Sequence, residues 1–136
     1  MKDRFFLDTN ILIYSYSNSE LEKQLIARRI ITENLTVIST QVLQELCNVV
    51  TRKFKFSYEQ AEQCIRECSL NNKVYINSDN TILGACRIAN VYGFSFYDSI
   101  IISAAIESEC SILFSEDLHH GQNIENVLTI LNPFKV

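Results

Sequence analysis

Short apolar runs alternate with longer amphipathic segments along the whole chain, and several of the breaks between them carry an acid. Arg4 to Leu7 is an apolar run too short for a helix and reads as a buried strand. Leu35 to Ser39, Val74 to Ile76, Ser111 to Phe114 and Val127 to Leu131 read the same way, and Pro133 stops the last. Between them the spacing predicts helices. Ile11 to Ser17 follows the first strand directly. Ser19-Glu-Leu-Glu22 has the pattern of a capping box, which predicts a helix from about Glu20 to Glu33. Gln41 to Lys53 places Val42, Leu43, Leu46, Val49 and Val50 on one arc at about 100° per residue. Ser57-x-x-Gln60 opens a helix to about Leu70. Asn80 to Tyr92 closes on Gly93, a residue suited to a helix C-terminus. Ser95-Phe-Tyr-Asp98 opens a helix to about Glu109 that is apolar nearly all round and is therefore central. Strands alternating with helices predict an α/β fold: a three-layer sandwich whose mainly parallel central sheet has four to five strands flanked by helices.

At 136 residues the chain is expected to form one domain, residues 1–136. That length buries roughly two-thirds of the unfolded surface, enough for one core without staples. One proline and three glycines argue against disorder and against a turn-rich sandwich. The five cysteines lack the Cys-x-x-Cys or Cys/His spacing of a redox or zinc site. Reduced thiols in a cytoplasmic protein are the better reading. The run Phe5 to Tyr16 is broken by Asp8 and Asn10 and has no small-residue cleavage site, so no signal peptide is expected. No segment is long enough to span a bilayer.

Four carboxylates stand at or near the breaks: Asp8, Glu45, Asp98 and Asp117. An acid beside core residues costs stability unless something compensates it. Asp8 and Asp117 lie just past the carboxyl ends of predicted strands, where ligands bind in open parallel sheets. Taken singly, each has an ordinary reading. Asp8 could cap the Ile11 helix, and Glu45 could be a partly exposed helix residue. Asp98 fits the fourth place of a capping box, and Asp117 could be a turn residue. Taken as a set, they could gather round one crevice. Four hard oxygen donors there would hold one or two Mg²⁺ or Mn²⁺ ions, the composition of a phosphodiester-cleaving site.

Other acid-centred α/β sites do not fit. A phospho-aspartate hydrolase needs a second Asp at position 10, which is Asn. A receiver domain needs an acidic pair after the first strand and a late Lys at a strand end, but Asp8 is alone and Lys135 lies beyond Pro133. Three scattered glycines supply no phosphate loop, and no serine elbow exists. His119-His120 reads as a water-facing loop. The net charge of −4 opposes general nucleic-acid binding, yet an acidic site counts as negative until its cation is bound. Arg52, Lys53 and Lys55 form a local basic cluster, with Arg28 and Arg29 a smaller one. Both read as solvated helix ends, or, for the first, as part of a nucleic-acid path.

Phe-Leu-Asp8-Thr-Asn-Ile-Leu, an acid on the third helix, Phe-Tyr-Asp98-Ser-Ile-Ile-Ile-Ser-Ala-Ala and Ser115-Glu-Asp-Leu-x-x-Gly121 together resemble a PIN-domain ribonuclease. The branch they look like is the toxin of VapBC toxin–antitoxin systems. The resemblance covers essentially the whole chain. It implies endonucleolytic RNA cleavage with Mg²⁺ or Mn²⁺ held by Asp8, Glu45, Asp98 and Asp117, supported by Asn10 and Ser115. It also implies a homodimer kept inactive by a small antitoxin protein. Two rivals share the fold: a module that binds RNA or protein without cutting, and a nuclease directed at DNA.

Overall fold

The structure is a computed structural model and describes residues 3–135. The chain runs β1 (Arg4–Leu7), α1 (Thr9–Tyr16), α2 (Leu21–Glu33), β2 (Leu35–Ser39), α3 (Thr40–Arg52), α4 (Tyr58–Asn71), β3 (Lys73–Tyr75) and α5 (Asp79–Tyr92). It continues α6 (Phe96–Glu107), β4 (Ile112–Phe114), β5 (Asn123–Ile124) and β6 (Leu128–Leu131). The strands form one sheet in the order β3-β2-β1-β4-β6-β5. Every pairing is parallel except β5 with β6.

That order positions the site. From β1 the chain steps outward to β2 and β3, then returns across β1 to place β4 on its other side. The sheet therefore reverses direction between β1 and β4, where a crevice opens at the carboxyl ends. Right-handed crossovers put α1 to α4 on one face and α5 with α6 on the other. The packing agrees: α1 lies on α2 and α3, α3 on α4, and α5 along α6. Register pairs Leu7 with Phe114, so Asp8 and Ser115 emerge side by side.

With helices over both faces, consecutive strand residues are buried together. Phe6, Leu7, Val37, Ile38 and Leu113 are at most 1% exposed. In α6 every residue from Ser99 to Ala105 is buried, as its all-round apolar pattern requires. No described helix is long and apolar enough to cross a membrane. All five cysteines are free, three of them buried.

The sheet has six strands where four or five were expected. The extra one, β5, is two residues in a polar stretch, with no periodicity to mark it; it exists because Ile124 pairs against Leu128 at the edge. Capping also separates pattern from structure. At Ser57 both halves of the box form: Ser57 Oγ accepts from the Gln60 N–H at 3.1 Å, and Gln60 Oε1 accepts from the Ser57 N–H at 2.9 Å. At Ser19 no box forms. The helix starts one residue later, with Glu20 as N-cap, so Glu22 sits at the second helical position and cannot reach back. Ser19 Oγ pairs with Ser17 Oγ instead. Ser57→Ala is expected to cost about 0.5–2 kcal/mol, and Ser19→Ala to stay within about 0.5 kcal/mol. Denaturant titration of both variants checks this; equal losses would contradict it.

Candidate active site

Asp8 is the residue that closes β1. Its N–H donates to the Phe114 carbonyl at 2.9 Å, so the sheet ladder runs through the acid. Its carboxylate is held on both oxygens. Oδ1 accepts from the Thr9 N–H at 2.7 Å, and Oδ2 accepts from Ser115 Oγ at 2.7 Å. The first bond is a helix cap, so the ordinary reading accounts for one oxygen. It does not account for the other, nor for the burial: Asp8 is 8% exposed.

Desolvation raises the Asp8 carboxyl from its ordinary 3.8 to about 6. The Ser115 and Thr9 bonds oppose that rise, while repulsion from Asp98 and Glu45 adds to it. Two further carboxylates are thus close enough for their charge to be felt at Asp8.

Glu45 lies half-buried on α3. Its Oε1 accepts from Thr9 Oγ1 at 2.5 Å, and Oε2 accepts from Gln41 Nε2 at 3.4 Å. Gln41 Nε2 also donates to the Tyr97 carbonyl at 3.2 Å, which ties α3 to the start of α6 beside Asp98. Asp98 occupies half a capping box. Its N–H donates to Ser95 Oγ at 3.2 Å, but the side chain does not return the bond. No described residue donates a hydrogen bond to the Asp98 carboxylate, so capping does not explain it. Asp117 is exposed in the loop after β4, its Oδ2 accepting from Asn10 Nδ2 at 3.0 Å.

All four acids line one cleft of about 350 Å³, with Thr9, Asn10, Asn48 and hydrophobic residues between them. Asn10 lies in its wall, and Ser115 lies fully buried beneath Asp8. Arg52, Lys53 and Lys55 are exposed and outside the lining. Arg28 borders a separate hollow between α1, α2 and α4 and donates to the Ser15 carbonyl. His119 and His120 sit in an exposed loop, His120 Nδ1 accepting from the Asn132 N–H.

The donors suit a hard cation: oxygen only, negative, and desolvated at Asp8. Among the described residues no three acid, imidazole or thiol side chains are already gathered closely enough to form a metal cage. An open cleft of this kind fits an ion that keeps several waters and takes only one or two carboxylates directly, as Mg²⁺ does. Thr9 and Gln41 were not singled out from the sequence. The signal for Thr9 is its place directly after Asp8. For Gln41 it is the four-residue helical spacing to Glu45.

A group whose pKa is raised on folding binds its proton more tightly in the folded state. For Asp8, stability is therefore lost as pH rises from about 4 to about 6 and stays lost above. The loss is on the order of 3 kcal/mol. Asp8→Asn is expected to abolish that dependence and to make the chelated protein more stable than the parent at pH 7. Denaturant titrations of both from pH 4 to 7 in chelator measure the difference; a flat or inverted difference would show that Asp8 is compensated without a cation.

The PIN domain family profile matches residues 5–122. No curated protein matches the sequence significantly. Among solved structures, a toxin–antitoxin complex from Klebsiella pneumoniae shares the fold with a TM-score of 0.69 and 17% identity, over 96% of this chain and 98% of that one. VapBC2 from Rickettsia felis, bound to a DNA fragment from its promoter, gives 0.68 and 20%, over 95% and 99%. VapC20 from Mycobacterium tuberculosis, a toxin that cleaves the sarcin–ricin loop, gives 0.65 and 16%, over 83% and 91%. At these identities the likeness to the solved structures is one of fold.

Proposed function

We propose that this chain, which belongs to the PIN-domain family, is a metal-dependent endoribonuclease and the toxin of a toxin–antitoxin pair. It hydrolyses RNA phosphodiester bonds in the cleft of Asp8, Glu45, Asp98 and Asp117. The observation that carries the reading is Asp8, buried and held on both oxygens in a cleft that three further carboxylates also line. A protein tolerates such a cluster where a cation offsets it.

A divalent cation, when bound, activates water as a nucleophile and offsets charge building on the phosphoryl oxygens. Asp8 and Asp98 are the residues to hold it, Mg²⁺ first and Mn²⁺ as substitute. Asp8 is immobilised by Thr9 and Ser115, so its oxygens are set before the ion arrives. The carboxylate of Asp98 is not engaged by any described residue and is free to turn toward the ion. Glu45, fixed by Thr9 and Gln41, and Asp117, fixed by Asn10, complete the negative wall. Neither histidine lines the cleft, so proton transfer falls to these carboxylates and to water.

Arg52 lies seven residues after Glu45 on α3, which returns it to the same helical face about two turns on. Asn48 and Val49 carry that face along the cleft wall. Arg52, Lys53 and Lys55 are exposed and make no ion pair among the described residues. In this reading they meet backbone phosphates of an RNA leaving the cleft. A small antitoxin partner, a homodimer and action in the cytoplasm complete the reading; the fold shared with VapBC proteins supports the first.

Cleavage of structured RNA should require Mg²⁺ or Mn²⁺ and stop in chelator. Asp98→Asn should reduce it at least 100-fold while leaving the melting temperature in chelator unchanged or higher, because no protein hydrogen bond is lost. In the same assay, neutralising Arg52, Lys53 and Lys55 should weaken RNA binding and flatten its salt dependence. Chelator-resistant cleavage, or full activity in Asp98→Asn, would refute the metal mechanism. RNA binding without cleavage would favour a binding module, and preference for matched DNA a DNA nuclease.

A further inference from the structure

We propose that Glu116 is a positioning residue: gripped by Tyr14 and Lys23, it sets Asp117 at the cleft. The proposal rests on the acidic-cleft reading above and assigns a role to an acid outside the four.

Asp117 is the least supported of the cleft carboxylates. It is exposed, it sits on a loop, and its one hydrogen-bond partner among the described residues is Asn10. Its neighbour Glu116 does not line the cleft. Glu116 Oε1 accepts from the Tyr14 hydroxyl at 2.5 Å, and Oε2 accepts from Lys23 Nζ at 2.5 Å. The Lys23 and Glu116 side chains are only 30% and 24% exposed, so solvent screens the pair less than it would a surface pair.

The grip is organised by one face of α1. Asn10 and Tyr14 are four residues apart and therefore neighbours on that helix. Asn10 uses both ends of its amide. Its Nδ2 donates to Asp117, and its Oδ1 accepts from the Glu116 N–H at 3.4 Å. Tyr14 then takes the Glu116 side chain. Two consecutive loop residues are thus fixed at three points by a single helix. Lys23 brings in α2, its Nζ lying 4.7 Å from the centre of the Tyr14 ring and 5.4 Å from that of Phe134. The two rings meet edge-on at 5.1 Å.

The chemical consequence is a division of labour between adjacent acids. Without its partners Glu116 would stand as a second free carboxylate beside Asp117, repelling it and competing for the same cation. Paired with Lys23 and turned onto α1, it leaves the loop with one directed charge. Asp117 completes the negative wall around the cation, and groups that orient the side chains round a metal change its affinity by about 10- to 100-fold when removed.

The test is a Mg²⁺ titration by calorimetry on the full chain, with thermal melts in chelator alongside. The variants are Glu116→Gln, Lys23→Met, Lys23→Arg and Tyr14→Phe. Glu116→Gln and Lys23→Met are expected to weaken Mg²⁺ binding about tenfold or more. Lys23→Arg, which keeps the pair, should bind as the parent does. Tyr14→Phe, which removes one of two anchors, should fall between and provides a milder probe if another variant folds poorly. Variants that melt lower in chelator yet bind Mg²⁺ like the parent would overturn the proposal and make the cluster a strut. A parent that binds Mg²⁺ while all four variants match it fails this proposal alone. A parent that binds no Mg²⁺ fails the acidic-cleft reading, and this proposal with it.

Discussion

Asp8 ends the central strand with a charge that its surroundings do not solvate. The strand ladder continues through its N–H to Phe114, so the acid cannot swing away without breaking the pairing of β1 with β4. Thr9 and Ser115 hold the carboxylate from either side. Those two bonds lower its pKa but do not cancel the desolvation that raises it. Folding therefore delivers a carboxylate in a fixed place at a cost to the fold, and the rest of the cleft is arranged around it. A cation would offset the cost and draw use from it, which joins the stability of the protein to its proposed chemistry.

The other three acids reach the cleft by separate routes. Right-handed crossovers send α3 and α6 to opposite faces of the sheet, yet both begin at its carboxyl edge. Glu45 comes from one and Asp98 from the other, and Gln41 spans the gap between them. Asp98 also lies in the first turn of α6, where the helix dipole favours a negative charge. Asp117 comes from the loop after β4 and depends on α1 through Asn10. One strand end, two helix starts and one loop meet because the sheet reverses between β1 and β4.

Much of this was legible in the sequence because it is local. Apolar runs ending at Asp8 and just before Asp117 mark strand ends, and parallel strands bring such ends together. The arc of α3 shows Glu45 at the margin of a buried face. Other features depend on contacts distant in sequence and left little local trace. Thr9 meets Glu45 across 36 residues, and Glu116 meets Lys23 across 93. Nothing near Glu116 distinguishes it from Asp117 until α1 is folded against the loop. The Ser95 pattern suggested that Asp98 was spent on capping, whereas its side chain makes no such bond; a motif records which residues could pair, and backbone geometry decides whether they do. The Ser19 pattern failed through a shift of one residue in the helix start. The short strand β5 has no pattern to read, being formed by the turn back to β6.

Whether these carboxylates hold a divalent cation is decided by diffraction from crystals soaked in Mn²⁺, with the ion located by anomalous scattering. A peak is expected inside the cleft, within bonding distance of carboxylate oxygens of Asp8 and Asp98. A cleft without a peak at saturating Mn²⁺, or a lone peak at His119 and His120, would contradict a cation site there.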